Sequence, residues 1–292
     1  MPVLLATYGD LSLYSVGWVA SGFLGAYAIG QFVHGQLSEK YNPVMYLTIG
    51  LLGSAVINLA LGFSAGFFFI LLIGEIIDGG FQSMGWSSTV RAHAETSKNP
   101  EKTSTMLGTA YQVGNSVAWL VAAFAVGQFG WEAGFFVAAI VMFARAGANL
   151  ATMPKIVPKP RPQKERTKLM FTRPVLFSGL SLMLLNMMRY GVIIWMPTYL
   201  YTEYGLPIEK VGLTVFMIPL AGVAGTLLYN KLGLKKDIST IVYVLLLSVV
   251  FFLFTMVDDV GIFTVLLVLS GFLLYGPHVF LVTTMPCRLL GE

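Results

Sequence analysis

The chain contains a single cysteine, Cys287, which excludes an internal disulfide framework and a thiol-based metal site. Charge is almost as scarce, since Asp, Glu, Lys and Arg make up 11% of the residues, against roughly a quarter in soluble domains. No nucleophile accompanied by a base and an orienting acid can be assembled. A phosphate-cradling glycine loop and a His/Cys/carboxylate cluster are missing too. Neither enzymatic activity nor a cofactor is therefore expected. What remains is apolar: 56% hydrophobic residues and a mean hydropathy of +0.76 mark an integral membrane protein, whose main partner is the lipid bilayer. The short alternating segments of an outer-membrane barrel are not seen.

Nine apolar stretches are long enough to cross a membrane as helices of about 20 residues. They cover residues 12–37, 43–63, 67–90, 105–128, 131–153, 174–201, 209–229, 238–257 and 261–286. The fold class expected is all-α and membrane-embedded. The net charge of +4 does not call for a nucleic-acid partner, because the basic residues follow topology. Fifteen of them, from Lys40 through Arg91, Lys155–Arg173 and Lys231–Lys236 to Arg288, fall on alternate loops, whereas Lys210 alone occupies the opposite side. Basic loops mark the cytoplasm, so the N-terminus of this chain is expected outside, in a plasma (inner) membrane protein. A chain that begins outside without a basic n-region and cleavage site lacks a signal to take it there.

The sequence also repeats itself. Met1-Pro2-x-x-Leu5, Tyr8-Gly9 and Val16-Gly17 recur as Met196-Pro197-x-x-Leu200, Tyr204-Gly205 and Val211-Gly212. Gly35 is matched with Gly225, and Gly80-Phe81-x-x-x-Gly85 with Gly271-Phe272-x-x-x-Gly276. The proline-rich basic stretch 154–173 divides the copies as a cytoplasmic linker. The domains expected are an N-terminal bundle over 1–153, that linker, and a C-terminal bundle over 174–292. Equal halves would need one more helix before Met1 and two more after Glu292, giving a parent of twelve helices in two six-helix bundles. Residues 1–292 by themselves are then not expected to complete alternating access. The first-half counterpart of Arg189 falls before Met1 in this register.

Two parallel repeats around a basic central loop resemble the major facilitator fold. The loop Gly35-Gln36-Leu37-Ser38-Glu39-Lys40-Tyr41-Asn42-Pro43 is similar to that superfamily's signature, with Glu39 in place of aspartate. Its Ser-acid-basic-x-Asn-Pro form resembles the organophosphate:phosphate antiporters, the family of glycerol-3-phosphate and hexose-phosphate transporters. Three further stretches agree. They are Gly79-Gly80-Phe81-Gln82-Ser83-Met84-Gly85-Trp86, Arg189-Tyr190-Gly191 with Trp195-x-Pro197-Thr198-Tyr199-Leu200, and Leu274-Tyr275-Gly276-Pro277. The resemblance covers nearly the whole chain and implies exchange of an organophosphate for inorganic phosphate. Two alternatives stay open beside it: a transporter-like membrane sensor of sugar phosphates, and a carrier of another small organic anion.

Arg189 stands about halfway along an apolar stretch, where an arginine costs about 2.5–3.5 kcal/mol on insertion scales. Its planar fork suits bidentate contact with phosphate oxygens. The resemblance implies that this arginine binds phosphate, with Tyr190 beside it. It also aligns Gln31 with a basic residue and Tyr111 with a histidine of the antiporters, so the site expected here is less cationic. His34, one turn after Gln31, is either a replacement basic group or a hydrogen-bonded interior histidine, and His278 has the same two readings. Glu75 and Asp78, three apart and on one helix face, are expected to pair with Arg145. Gly35, Glu39 and Lys40 are expected to form a charged loop that helps hold one conformational state. The partner expected is a small anion bound by a monomer, without metal or cofactor.

Overall fold

The computed structural model describes residues 2–8, 11–64, 66–96, 100–152 and 172–285. The expected linker falls outside the described residues as far as residue 171, as do Met1, Cys287 and Arg288. The chain order is α1 Pro2–Thr7, α2 Leu13–Leu37, α3 Pro43–Gly62, α4 Phe68–Thr96, α5 Pro100–Phe129, α6 Glu132–Thr152, α7 Arg173–Thr202, α8 Ile208–Lys231, α9 Lys236–Phe254 and α10 Val260–Val279. A π-helical turn, Phe280–Thr284, continues α10. Among the described residues, nine helices are long and apolar enough to span a membrane, and each matches one of the stretches expected from hydropathy.

Local chemistry explains where several of them start. Ser12 caps α2 through a reciprocal pair of bonds with Ser15, each side chain serving the other's backbone N–H. Asn42 Oδ1 accepts from the amides of Val44 and Met45 at 2.9 and 3.2 Å, while Pro43 occupies the first turn of α3, where no N–H is needed. The Asn-Pro pair of the loop motif is thus a helix start. Asp259 caps α10 by accepting from the Ile262 amide at 2.9 Å.

The helices cluster into two compact units. Unit 1 comprises residues 1–100 and 124–161, and unit 2 residues 101–123 and 162–292. In unit 1, α2 and α3 pack on α4, and α3 also packs on α6. Leu4, Val19, Leu61, Leu71 and Trp131 form its buried cluster. In unit 2, α8 and α9 pack on α10, and α7 on α8. Most of α5 belongs here, because Trp119 packs on the Val211–Val215 cluster and Gln112 bonds to Thr226.

Small residues set the helix spacing, as expected where lipid supplies no apolar drive for association. A Cβ added at Gly79 would collide with the carbonyl oxygen of Phe23, and one added at Gly271 with that of Ile218. Phe23 and Ile218 stand at the same offset as Met1 and Met196, so the duplication is visible as a repeated helix crossing. The sequence matched neighbouring glycines instead. Gly35 and Gly80 meet nothing within 4 Å, whereas Gly30 lies against Ser83 and Gly79 against Phe23. Gly79 and Gly80 are indistinguishable as letters, and only the one facing the next helix performs the packing.

Gly271→Ala is accordingly expected to destabilise the protein by about 1–3 kcal/mol, since the obstructing atom is backbone. Gly179→Ala, on an open stretch of α7, should be neutral or stabilising by up to about 1 kcal/mol. Thermal unfolding of both variants in detergent checks the contrast.

Candidate functional site

Arg189 is carried into unit 2 by α7 and is 5% exposed. Its Nη1 donates to the hydroxyl of Tyr111 on α5 at 3.1 Å. The guanidinium carbon lies 4.5 Å from the ring centroid of Tyr190 and 5.9 Å from that of Tyr111. Aromatic faces and a hydroxyl solvate a cation without neutralising it. The ion pair found among the described residues joins Arg91 to Glu95, and no carboxylate of those residues pairs with Arg189. Its Nε is buried and has no hydrogen-bond partner. The site therefore retains a positive charge and an unused donor, an arrangement complementary to an oxyanion.

Further polar groups of unit 2 accompany this charge. Tyr275 on α10 is buried, with Asn115 of α5 as a polar neighbour. Gln112 on α5 donates to Thr226 Oγ1 at 3.2 Å, while its own carbonyl oxygen is buried and unpaired. His278 Nε2 lies 3.2 Å from Asn186 Oδ1, one turn before Arg189 on α7. Pro277 removes one helical N–H immediately before His278, and the π-helical turn begins at Phe280. Broken helical regularity in a membrane is tolerated where protein or a cavity surrounds it.

Arg189, Tyr190 and Tyr111, singled out in the sequence, are thus brought together in unit 2. Asn186, Asn115, Gln112 and Tyr275 were not identified as site residues. Tyr275 carried a signal as part of the Leu274-Tyr275-Gly276-Pro277 motif, and Asn186 was a polar residue one turn from the arginine in an apolar stretch. Gln112 and Asn115 lie one residue and one turn beyond Tyr111, with no distinguishing pattern.

The other expected residues lie in unit 1. Gln31 is half-buried on α2. His34 Nδ1 pairs with the Tyr46 hydroxyl at 2.5 Å, the interior hydrogen bond that was one of its two readings. Asp78, 3% exposed, accepts from Ser54 Oγ on α3 and from Gln82 Nε2 at 2.8 Å. The expected pairing of Glu75 and Asp78 with Arg145 is not found among the described residues. Arg145 is exposed on α6, while its neighbours Ala146 and Asn149 turn inward. Neutral donors on α3 and α4 therefore take the role assigned to that cation for Asp78. Near the Gly35–Lys40 loop, Ser38 Oγ donates to the Gly35 carbonyl at 3.0 Å. Arg91, at the end of α4, donates to the Ser38 carbonyl and pairs with Glu95 at 2.6 Å. The sequence used Arg91 only as a marker of topology.

Comparison with known proteins adds the family. The profile of the Major Facilitator Superfamily matches residues 1–292. The glycerol-3-phosphate transporter of Bacillus subtilis is 26% identical over 306 aligned residues, covering 90% of this chain and 68% of that protein. The phosphoglycerate transporter protein of Salmonella typhimurium is 24% identical, across 77% of this chain and 56% of its own length. The membrane sensor protein UhpC of Escherichia coli is 31% identical over 47% of this chain, which amounts to 31% of the sensor.

Proposed function

The chain belongs to the Major Facilitator Superfamily, and on that premise we propose that it is a secondary transporter exchanging an organophosphate for inorganic phosphate by alternating access. Glycerol 3-phosphate and sugar phosphates are the substrate class. The observation that carries this reading is Arg189, a buried guanidinium with two tyrosines around it, an unused Nε and no carboxylate among the described residues. A phosphate oxygen would occupy the vacant donor, and a second oxygen the other edge of the fork. Similarity to a glycerol-3-phosphate transporter over 90% of the chain supports the same class.

Coupling follows from charge. An unneutralised arginine in a closing, low-dielectric site is costly, so the empty carrier reorients slowly and the anion-loaded carrier quickly. Exchange is then favoured over net leak. Nothing covalent happens to the substrate. Gly35, Glu39 and Lys40 act with Arg91 in holding the loop. The two six-helix bundles, the cytoplasmic basic loops, the external N-terminus of this chain, the plasma membrane and a monomeric state belong to the same proposal.

Similarity of nearly half the chain to a membrane sensor protein favours one second reading, in which the same anion site reports sugar phosphate to a partner protein. Competition binding separates the anion classes. Labelled phosphate should be displaced by organophosphates but not by carboxylates of equal charge. Displacement by carboxylates alone would remove the organophosphate reading, and specific phosphate binding without exchange would favour the sensor.

A further inference from the structure

Accepting Arg189 as the anion anchor, as proposed above, we infer that His278 is a proton-binding site linked to it: the imidazole is neutral when the site is empty and takes up a proton when the anion binds.

His278 is 8% exposed on α10 and bound through Nε2 to Asn186 on α7. Asn186 Oδ1 can only accept, so Nε2 holds the proton and Nδ1 is the nitrogen that changes state. The ring of Tyr275, one turn earlier, meets the imidazole edge to face at 6.1 Å and 72°. Asn186 is one turn before Arg189 on α7, so the imidazole's partner and the guanidinium occupy consecutive turns of the same helix. His278 is thus tied by one hydrogen bond between α10 and α7 to the turn of α7 next to Arg189.

Groups on the surrounding elements settle the direction. Arg189 and Tyr190 lie on α7, Tyr111 on α5, Tyr275 on α10 itself, Tyr229 on α8 and Tyr243 on α9. Of these, Arg189 alone is charged at neutral pH. The remaining charges of those helices, Glu101 and Lys102 in the sequence of α5, and Arg173, Glu209, Lys210, Lys231, Lys236 and Asp237, fall at helix ends. A proton on Nδ1 of the empty site would therefore add a second cation beside Arg189 with no anion to offset either. A bound phosphate reverses that balance, since its charge attracts the proton and the protonated ring holds the anion more tightly. The effects are reciprocal: binding takes up protons, and affinity rises as pH falls. His278, rather than a second arginine, supplies the additional positive charge of this unit, and does so only on demand.

The test is inorganic phosphate binding to the purified protein, by titration calorimetry in buffers of different ionisation enthalpy between pH 6 and 8, for wild type and His278→Gln. Glutamine keeps a donor for Asn186. Phosphate titrates by itself, but identically in both proteins, so the difference belongs to His278. The wild type should take up as much as one proton more per phosphate, and its affinity should steepen by up to tenfold per pH unit relative to the variant. Equal proton uptake and parallel pH profiles would overturn the proposal while leaving Arg189 in place. Absence of phosphate binding by the wild type at every pH would instead remove both. If His278→Gln fails to fold, nitrogen NMR of the wild type decides. The chain has three histidines, and the signal that His278→Asn removes, or failing that the one broadened by a spin label on α10, is His278. At fixed pH it should move from neutral to imidazolium on saturation with phosphate, and a ring that stays neutral would overturn the inference.

Discussion

Arg189→Lys is expected to weaken phosphate binding about 10- to 100-fold, because lysine keeps the point charge but loses the fork and with it one charge-assisted bond worth about 1.5–3 kcal/mol. Folding should be little affected. The side chain donates to the Tyr111 hydroxyl and lies against aromatic faces that an ammonium can also use. Equilibrium binding of labelled phosphate in detergent, beside thermal unfolding, distinguishes an anchor from a structural cation. An anchor loses affinity at nearly constant melting temperature. A structural arginine would lose melting temperature at constant affinity, and that result would displace Arg189 from the site.

The second large effect is expected in unit 1. Asp78→Ala removes the acceptor shared by Ser54 and Gln82 and leaves both donors buried without it. Hydrogen bonds of this kind in membranes contribute about 1–2 kcal/mol each, so a loss of about 2–4 kcal/mol is expected in unfolding measurements. Arg145→Gln, on an exposed part of α6, should stay within about 0.5 kcal/mol of wild type. Similar losses in the two variants, non-additive when combined, would restore the ion pair that the sequence pointed to and contradict the network seen around Asp78.

The contrast between these two sites shows what was legible in the sequence. A membrane helix needs about 20 apolar residues whatever surrounds it, so the nine spans could be read from hydropathy, whereas the caps at Ser12 and Asn42 that fix two of their starts were not singled out. Arg189 was legible for a related reason, since a charge is conspicuous against an apolar background. Partners were not. Asp78 finds Ser54 on another helix, 24 residues away, and His278 finds Asn186 at a separation of 92. Helix rotation decides such contacts, and composition does not reveal it. Opposite charges invite pairing on paper, yet Arg145 is turned outward and hydroxyl and amide donors satisfy Asp78 instead. The shift from Gly80 to Gly79 as the residue at the helix crossing has the same origin.

The most direct measurement of the central claim is counterflow in proteoliposomes that carry the twelve-helix parent expected from the repeat and are loaded with labelled phosphate. Efflux should be slow into phosphate-free medium and should accelerate several-fold when phosphate or an organophosphate is added outside, and in Arg189→Lys that acceleration should need about 10- to 100-fold more external anion. Efflux that ignores the external anion, or exchange that keeps its wild-type dependence on anion concentration in the arginine variant, would contradict an anion exchanger built on Arg189.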